Sequence, residues 1–448
     1  MQKGTTTMKA GFAQVRFDGQ FDFRMGGTFV NYLQSETEFH TPLCCSAWAV
    51  SAGENSFIWV SCDVARFMES DAAYVRAKVE AATGVPAAHV LVSATHTHTG
   101  PTARPSISPF FPTGDLSYFE KVGDKAAEAC IQAWENLQEG TMAYGRCDED
   151  KCVHNRRYIM DNGESMMEPG GPEYPGRLMK EGPEDTELQA VWFMAGGKPV
   201  GIVVNYSSHP SELYALKYTS SDYPGVMRRA LQGVYGADVP VVFLQGCCGN
   251  LTPRDHEHDA TWGTGVDGAE RVGTILAADV MRIMSLTREY TDPEDIRIIS
   301  TTARLNLREV SEEDLNRSNE IFEMLVADRP AFDALDVSDK GYANKVRNLL
   351  NKWKVAPYED VPVSAVKLGD LVFVTHPAEL FCEYQLDMKK QLGPKTICAG
   401  YTNGRICYIV TKQGYHQNGY EMKQGFYDYN AGQDLSDKLM ALARELRP

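Results

Sequence analysis

The chain has 448 residues and a formal net charge of -16, from 44 Lys and Arg against 60 Asp and Glu. That balance provides no overall positive field to gather nucleic acid or an anionic membrane surface. With 43% hydrophobic residues, 21 Tyr and 18 Phe, the chain is too apolar and aromatic for a disordered protein, and it is long enough for one large catalytic domain or two average domains.

The N-terminal stretch, residues 1–19, holds no apolar run of roughly 7–15 residues, and no later run reaches the ~18 apolar residues of a membrane span. The expectation is a cytoplasmic protein with no stable membrane anchor. The eleven Cys include the neighbours Cys44-Cys45 and Cys247-Cys248 and form no Cys-x-x-Cys. A reducing compartment and small apolar core roles fit them better than disulfides or a zinc ribbon.

In chain order, residues 57–64 read as a buried strand, and 69–82 have apolar or small residues at helical spacing before a stop at Gly84. Asp63, near the end of that strand, reads as a helix N-cap in preference to a partner that orients a site residue. A strand at 89–94 and a long helix at 117–137 follow. Residues 149–187, rich in Gly, Pro, Asn and charge, read as an extended loop region. Strands are expected at 188–193, 200–205 and 239–244, with helices after Asp222-Tyr-Pro-Gly225 and over 268–283. Past a charged hinge at 290–295 come a strand, a helix-rich insertion at about 310–355, strands at 363–368 and 371–375, and a helix starting near Glu379. The pattern predicts an α/β fold with a multilayer mixed-sheet core covered by helices, in one catalytic domain spanning 1–448.

The reactive side chains gather where strand patterns end. His96 and His98, in Thr95-His-Thr-His-Thr-Gly-Pro101, leave the strand 89–94, and alternation along an extended chain would aim both rings to one side. Such a pair starts a zinc site or is a hydrogen-bonded structural pair; spacing alone leaves both open. His209 follows the strand 200–205, and Glu379 closes Thr375-His-Pro-Ala-Glu379, where a carboxylate at a helix N-terminus needs no metal to be stable. The run 242–253 passes from a strand into a Gly-rich turn ending in Thr252-Pro253, and it matches neither a Walker loop nor Gly-x-Ser-x-Gly. Asp255-His-Glu-His-Asp259 reads as a solvated acidic loop.

Taken together, these segments resemble the catalytic domain of the neutral (non-lysosomal) ceramidase family, zinc amidases that split the N-acyl bond of ceramide. The resemblance rests on Thr95–Pro101, Asn155-Arg156-Arg157, His209-Pro210, Ser221-Asp-Tyr-Pro-Gly225, Pro377-Ala-Glu379 and the block Tyr408-Ile-Val-Thr411, Tyr415 and Tyr420-Glu421. It implies a Zn2+ held by His96, His209, Glu379 and the phenol of Tyr408. It further implies that His98, Arg156 and Tyr420 handle the proton and steady the oxyanion. The family places a Ser in a turn where this chain has Thr252, so either Thr252 or water is the nucleophile. The family's C-terminal β-sandwich and secretory or surface location are not expected here, which points to a soluble small-molecule or N-acyl substrate. A lactone or cyclic diketone could be opened by the same metal site, and a metal- or ligand-binding protein that kept the fold is the non-enzyme alternative. Acyl length and oligomeric state are not specified by the sequence.

Overall fold

The computed structural model describes residues 8–19, 24–25, 32–52, 55–101, 117–214, 216–259, 261–291, 295–335 and 337–447. Helices and several mixed sheets give an α/β fold. One sheet runs Val90–Ala94, Asn55–Cys62, Cys44–Ala52, Lys9–Arg16 and Gln138–Glu139, in that spatial order. A second runs Val241–Gln245, Lys198–Tyr206, Glu187–Ala195 and Thr141–Asp148. A third runs Ile296–Asn306, Tyr358–Leu368, Leu371–Thr375 and Thr396–Ala399.

Each of these sheets is mostly antiparallel with one parallel pair at its edge: Asn55–Cys62 with Val90–Ala94, Lys198–Tyr206 with Val241–Gln245, and Leu371–Thr375 with Thr396–Ala399. These strands are nearly continuous apolar runs because both of their faces are covered. Trp48, Trp59, Phe12, Val191, Leu244, Val366 and Phe373 share one buried cluster, so the three sheets pack on common side chains. The Phe373 ring lies 5.8 Å from Trp48 and 5.6 Å from Trp59, in the tilted and edge-on geometries that aromatic quadrupoles favour.

Glu69–Thr83 ends at Gly84, whose φ of 74° is the left-handed C-terminal cap that a side chain would resist. This helix and Ser117–Glu135 pack beside the first sheet, and Asp222–Tyr235 packs against Gly265–Leu286. Between the hairpin strands Ile296–Asn306 and Tyr358–Leu368 lie three helices, Glu312–Ala327, Arg329–Ala334 and Val337–Trp353.

Three local expectations fail. Residues 149–187 are not an open loop: Arg157–Met160 pairs with Ser165–Met167 and with Arg177–Lys180. The buried side chains of Arg157 and Tyr158 anchor this sheet, which the high Gly and Pro content disguised. No helix starts at Glu379; it forms a two-residue strand with Leu380, and the helix begins at Cys382. Asp63 caps nothing. It is fully buried, accepts the Cys44 N–H at 2.8 Å and pairs with the Arg228 guanidinium at 2.9 and 3.1 Å. All eleven cysteines are free. No helix among the described residues is long and apolar enough to cross a membrane.

Candidate metal centre and active-site groove

Each large sheet sends one polar side chain to a common point from the carboxyl end of a strand in its parallel pair. Val90–Ala94 leads to His96, Lys198–Tyr206 to His209, and Leu371–Thr375 to Glu379. Crevices at such strand ends are the usual ligand sites of α/β sheets. His96 is reached by a turn rather than by extended chain: its φ is 68°, uncommon for a residue with a Cβ. The His96 and His98 rings nonetheless meet, with centroids 4.9 Å apart.

His96, His98 and His209 can each aim one nitrogen so that all three lie within 4.8 Å of one another. The carboxylate of Glu379 joins them, its Oε2 lying 3.6 Å from His96 Nε2 and 3.9 Å from His209 Nε2. The two rings are oriented by the backbone. His96 Nδ1 lies 2.7 Å from the Ala65 carbonyl and His209 Nδ1 2.9 Å from that of Leu251. A carbonyl only accepts, so each Nδ1 carries a proton and each Nε2 faces the cluster. The His209 Nε2 atom is buried and has no hydrogen-bond partner among the described residues. Tyr401 stacks on His96 at 4.1 Å and further fixes that ring. An imidazole and carboxylate donor set with an unpartnered buried nitrogen fits a divalent cation such as Zn2+.

The electrostatics fit the same grouping. Burial holds His96 down to about 3, and burial with the two adjacent imidazoles holds His98 well below its ordinary value. For His209, burial acts downward, but Cys248 and Glu379 outweigh it and raise the ring to about 9. Burial would raise Glu379, yet His209, His96 and Arg405 together keep it well below the usual carboxylate range.

Tyr408 reaches the site through a short parallel ladder in which Glu379 pairs with Tyr408 and Leu380 with Ile409. Its phenol oxygen accepts from Arg156 Nη2 at 3.2 Å, and its ring lies 5.7 Å from that of Tyr420. Arg156 is buried and also donates to the Gly249 carbonyl at 2.8 Å and to Glu421 at 3.0 Å. Glu421 receives Arg157 as well.

His98, Arg156, Tyr408 and Tyr420 line a groove of about 1730 Å³, shared with Tyr214, Glu168 and, on the insertion helices, Glu312, Asp314 and Tyr342. Thr252 is fully buried, facing Glu168 and accepting the Arg254 N–H at 3.4 Å. It has no contact with the histidine cluster among its described hydrogen bonds. The loop 255–259 is only half solvated: His258 is exposed on Asp255, but His256 is buried with neither ring nitrogen partnered among the described residues. Sequence reasoning passed over Tyr401, Arg405 and the role of Glu421 as a shared acceptor. Only Glu421 carried a signal, as the neighbour of Tyr420 in the Tyr-Glu pair.

The fold is that of a ceramidase. The structures it superimposes on include the neutral ceramidase of Pseudomonas aeruginosa and a ceramidase complexed with C2. Each gives a TM-score of 0.73 at 16% identity, over 99% of this chain and 75% of the other. No family model matches the chain, and no curated protein sequence matches it.

Proposed function

We propose that the chain is a single-domain, zinc-dependent hydrolase of an amide (N-acyl) bond, related to the neutral ceramidases and acting on a soluble substrate. The observation that carries this reading is the convergence of His96, His209 and Glu379 from three sheets beside a groove, in a fold shared with a ceramidase. His96, His209, Glu379 and Tyr408 would hold the Zn2+, which when bound polarises a carbonyl and makes water acidic enough to ionise near neutral pH.

The chain's own residues then have separable tasks. His98 lines the groove, and burial keeps it unprotonated, so it can take a proton from the attacking water and return it to the leaving amine. Arg156 is held in place by Glu421 and the Gly249 carbonyl, and with the phenol of Tyr420 it steadies the charge developing on the carbonyl oxygen. The burial of Thr252 favours water over its hydroxyl as the nucleophile.

The groove lining supports a soluble substrate, because carboxylates, arginines and tyrosines outnumber aliphatic side chains along it. The test compares a short-chain, water-soluble N-acyl amide with long-chain ceramide in mixed micelles. Faster turnover of the soluble amide is expected. Clearly faster hydrolysis of the micellar lipid contradicts the substrate reading, and turnover of lactones without amides contradicts the amide reading.

A further inference from the structure

We propose that Tyr401 is a positioning residue that ties the two histidine ligands into one unit, its ring bracing His96 and its hydroxyl bracing the turn that orients His209; this deepens the zinc hydrolase reading above and rests on it. Three sheets deliver the donors of the cluster, so their relative placement needs a contact common to all three. The segment 400–403 supplies it. The Gly400 N–H donates to the Gln245 carbonyl at 2.8 Å, at the end of the second sheet's parallel strand. The Tyr401 carbonyl accepts the Ala94 N–H at 3.2 Å, at the end of the first sheet's parallel strand. The Thr402 N–H donates to the His376 carbonyl at 3.0 Å, one residue past Leu371–Thr375 of the third sheet. Side chains reinforce the tie to the first sheet. Thr402 Oγ1 lies 2.7 Å from Ser93 Oγ, and Asn403 donates its N–H to the Val92 carbonyl at 2.7 Å while its Oδ1 accepts the Val92 N–H at 3.0 Å.

Tyr401 turns this junction toward the metal centre. Its φ of 50° is left-handed backbone that a residue with a Cβ seldom adopts, and such a conformation persists where the surroundings enforce it. The side chain is buried. Its ring stacks on His96 with centroids 4.1 Å apart and planes within 22°. Its hydroxyl lies 3.2 Å from Cys248 Sγ. The Cys248 carbonyl accepts the Leu251 N–H at 3.0 Å, and the Leu251 carbonyl in turn meets His209 Nδ1 at 2.9 Å. One side chain therefore touches one histidine directly and reaches the other through a single turn.

Packing accounts for the ring but not for the hydroxyl, since Phe would fill the same space with no polar atom to bury. A thiol is a weak hydrogen-bond partner, so the bond to Cys248 adds little to stability. What it adds is a fixed distance between the two ligand-bearing segments. Metal ligands depend on groups of this kind for their orientation, and small errors of placement are enough to weaken a site.

The test measures zinc affinity by competition with a chromogenic chelator and ligand geometry by the visible absorption of the cobalt-substituted protein. The imidazoles themselves are followed in chelator-treated protein by long-range proton–nitrogen spectra of labelled histidine. Tyr401→Phe keeps the stack and removes the hydroxyl, and Tyr401→Leu removes both. Zinc affinity should fall by about tenfold or more in Tyr401→Leu and by less in Tyr401→Phe, the scale of groups that orient metal ligands. The cobalt bands should shift in both. Tyr401→Phe should move the His209 signals through the turn, and should add little to their change in a Cys248→Ala background. If Tyr401→Leu fails to fold, Tyr401→Phe decides. A merely structural Tyr401 would lower Tm and leave the zinc affinity, cobalt bands and His209 signals of folded Tyr401→Phe as in the wild type. That result, or signals that move for His96 alone, overturns the inference while leaving the zinc hydrolase intact. His209 signals that move in Tyr401→Phe, in a protein whose wild type binds no zinc, uphold the positioning role and overturn the metal reading instead.

Discussion

Glu379 and Tyr408 stand opposite each other in a two-residue parallel ladder, and the Glu379 N–H donates to the Cys407 carbonyl at 2.9 Å. The ladder sets a carboxylate and a phenol side by side without a helix or a long strand to carry them. Cys407 adopts a φ of 68° immediately before Tyr408, so the chain bends sharply to deliver the phenol.

Tyr408→Phe keeps the ring and removes the oxygen that Arg156 meets. The fold should survive, since the ladder is made by backbone. Zinc affinity should fall by about tenfold or more, with a parallel loss of turnover. A competition titration against a chromogenic chelator reads this, and an unchanged affinity would remove Tyr408 from the ligand set.

Thr252→Ala deletes a hydroxyl buried against Glu168. Stability should fall by about 1 kcal/mol, the usual cost of one such hydrogen bond. Turnover should remain measurable, with no acyl adduct in either protein by intact-mass spectrometry. An inactive variant together with an adduct on Thr252 of the wild type would make Thr252 the nucleophile.

Asp63 and Arg228 form a fully desolvated pair beneath the first sheet. Removing one member leaves the other charge buried alone, so Asp63→Asn or Arg228→Met should each cost about 3–5 kcal/mol in urea unfolding. Replacing both should cost less than the sum of the two, as expected for directly coupled residues. Additive losses would show that the pair does not act as a unit.

Glu212 gives a pH signature. The residue is 1% exposed, its carboxyl oxygens meet no geometric hydrogen-bond partner among the described residues, and burial followed by the nearby Asp222 carboxylate pushes it well above its ordinary value. The folded protein therefore keeps a proton that the unfolded chain releases above about pH 4.5. Between that pH and the folded value the native state binds more protons, so this contribution to stability falls as pH rises, by about 1.4 kcal/mol per unit. Glu212→Gln should raise Tm relative to wild type at pH 8 and change it little at pH 4. A Tm difference that does not grow with pH would contradict this.

Much of the site could be read from local sequence because its parts leave strands with recognisable apolar runs. Thr95–Pro101 and His209-Pro210 announce themselves in this way. What escaped reading is non-local. Asp63 looks like a cap until Arg228, 165 residues away, is seen beside it. Glu379 looks like a helix start because its pairing with Tyr408 is invisible in either segment alone. The small sheet within 149–187 was hidden by Gly and Pro, which mark its turns but outweigh its short strands in composition.

Metal dependence is measured most directly by stripping the protein with a chelator, restoring zinc in steps and following hydrolysis of a soluble N-acyl amide. Activity should vanish with the metal and return at about one equivalent of zinc, while His96→Ala and His209→Ala stay inactive, folded and largely metal-free. Full turnover by the metal-free protein, or stoichiometric zinc retained by both variants, would contradict a zinc hydrolase built on these residues.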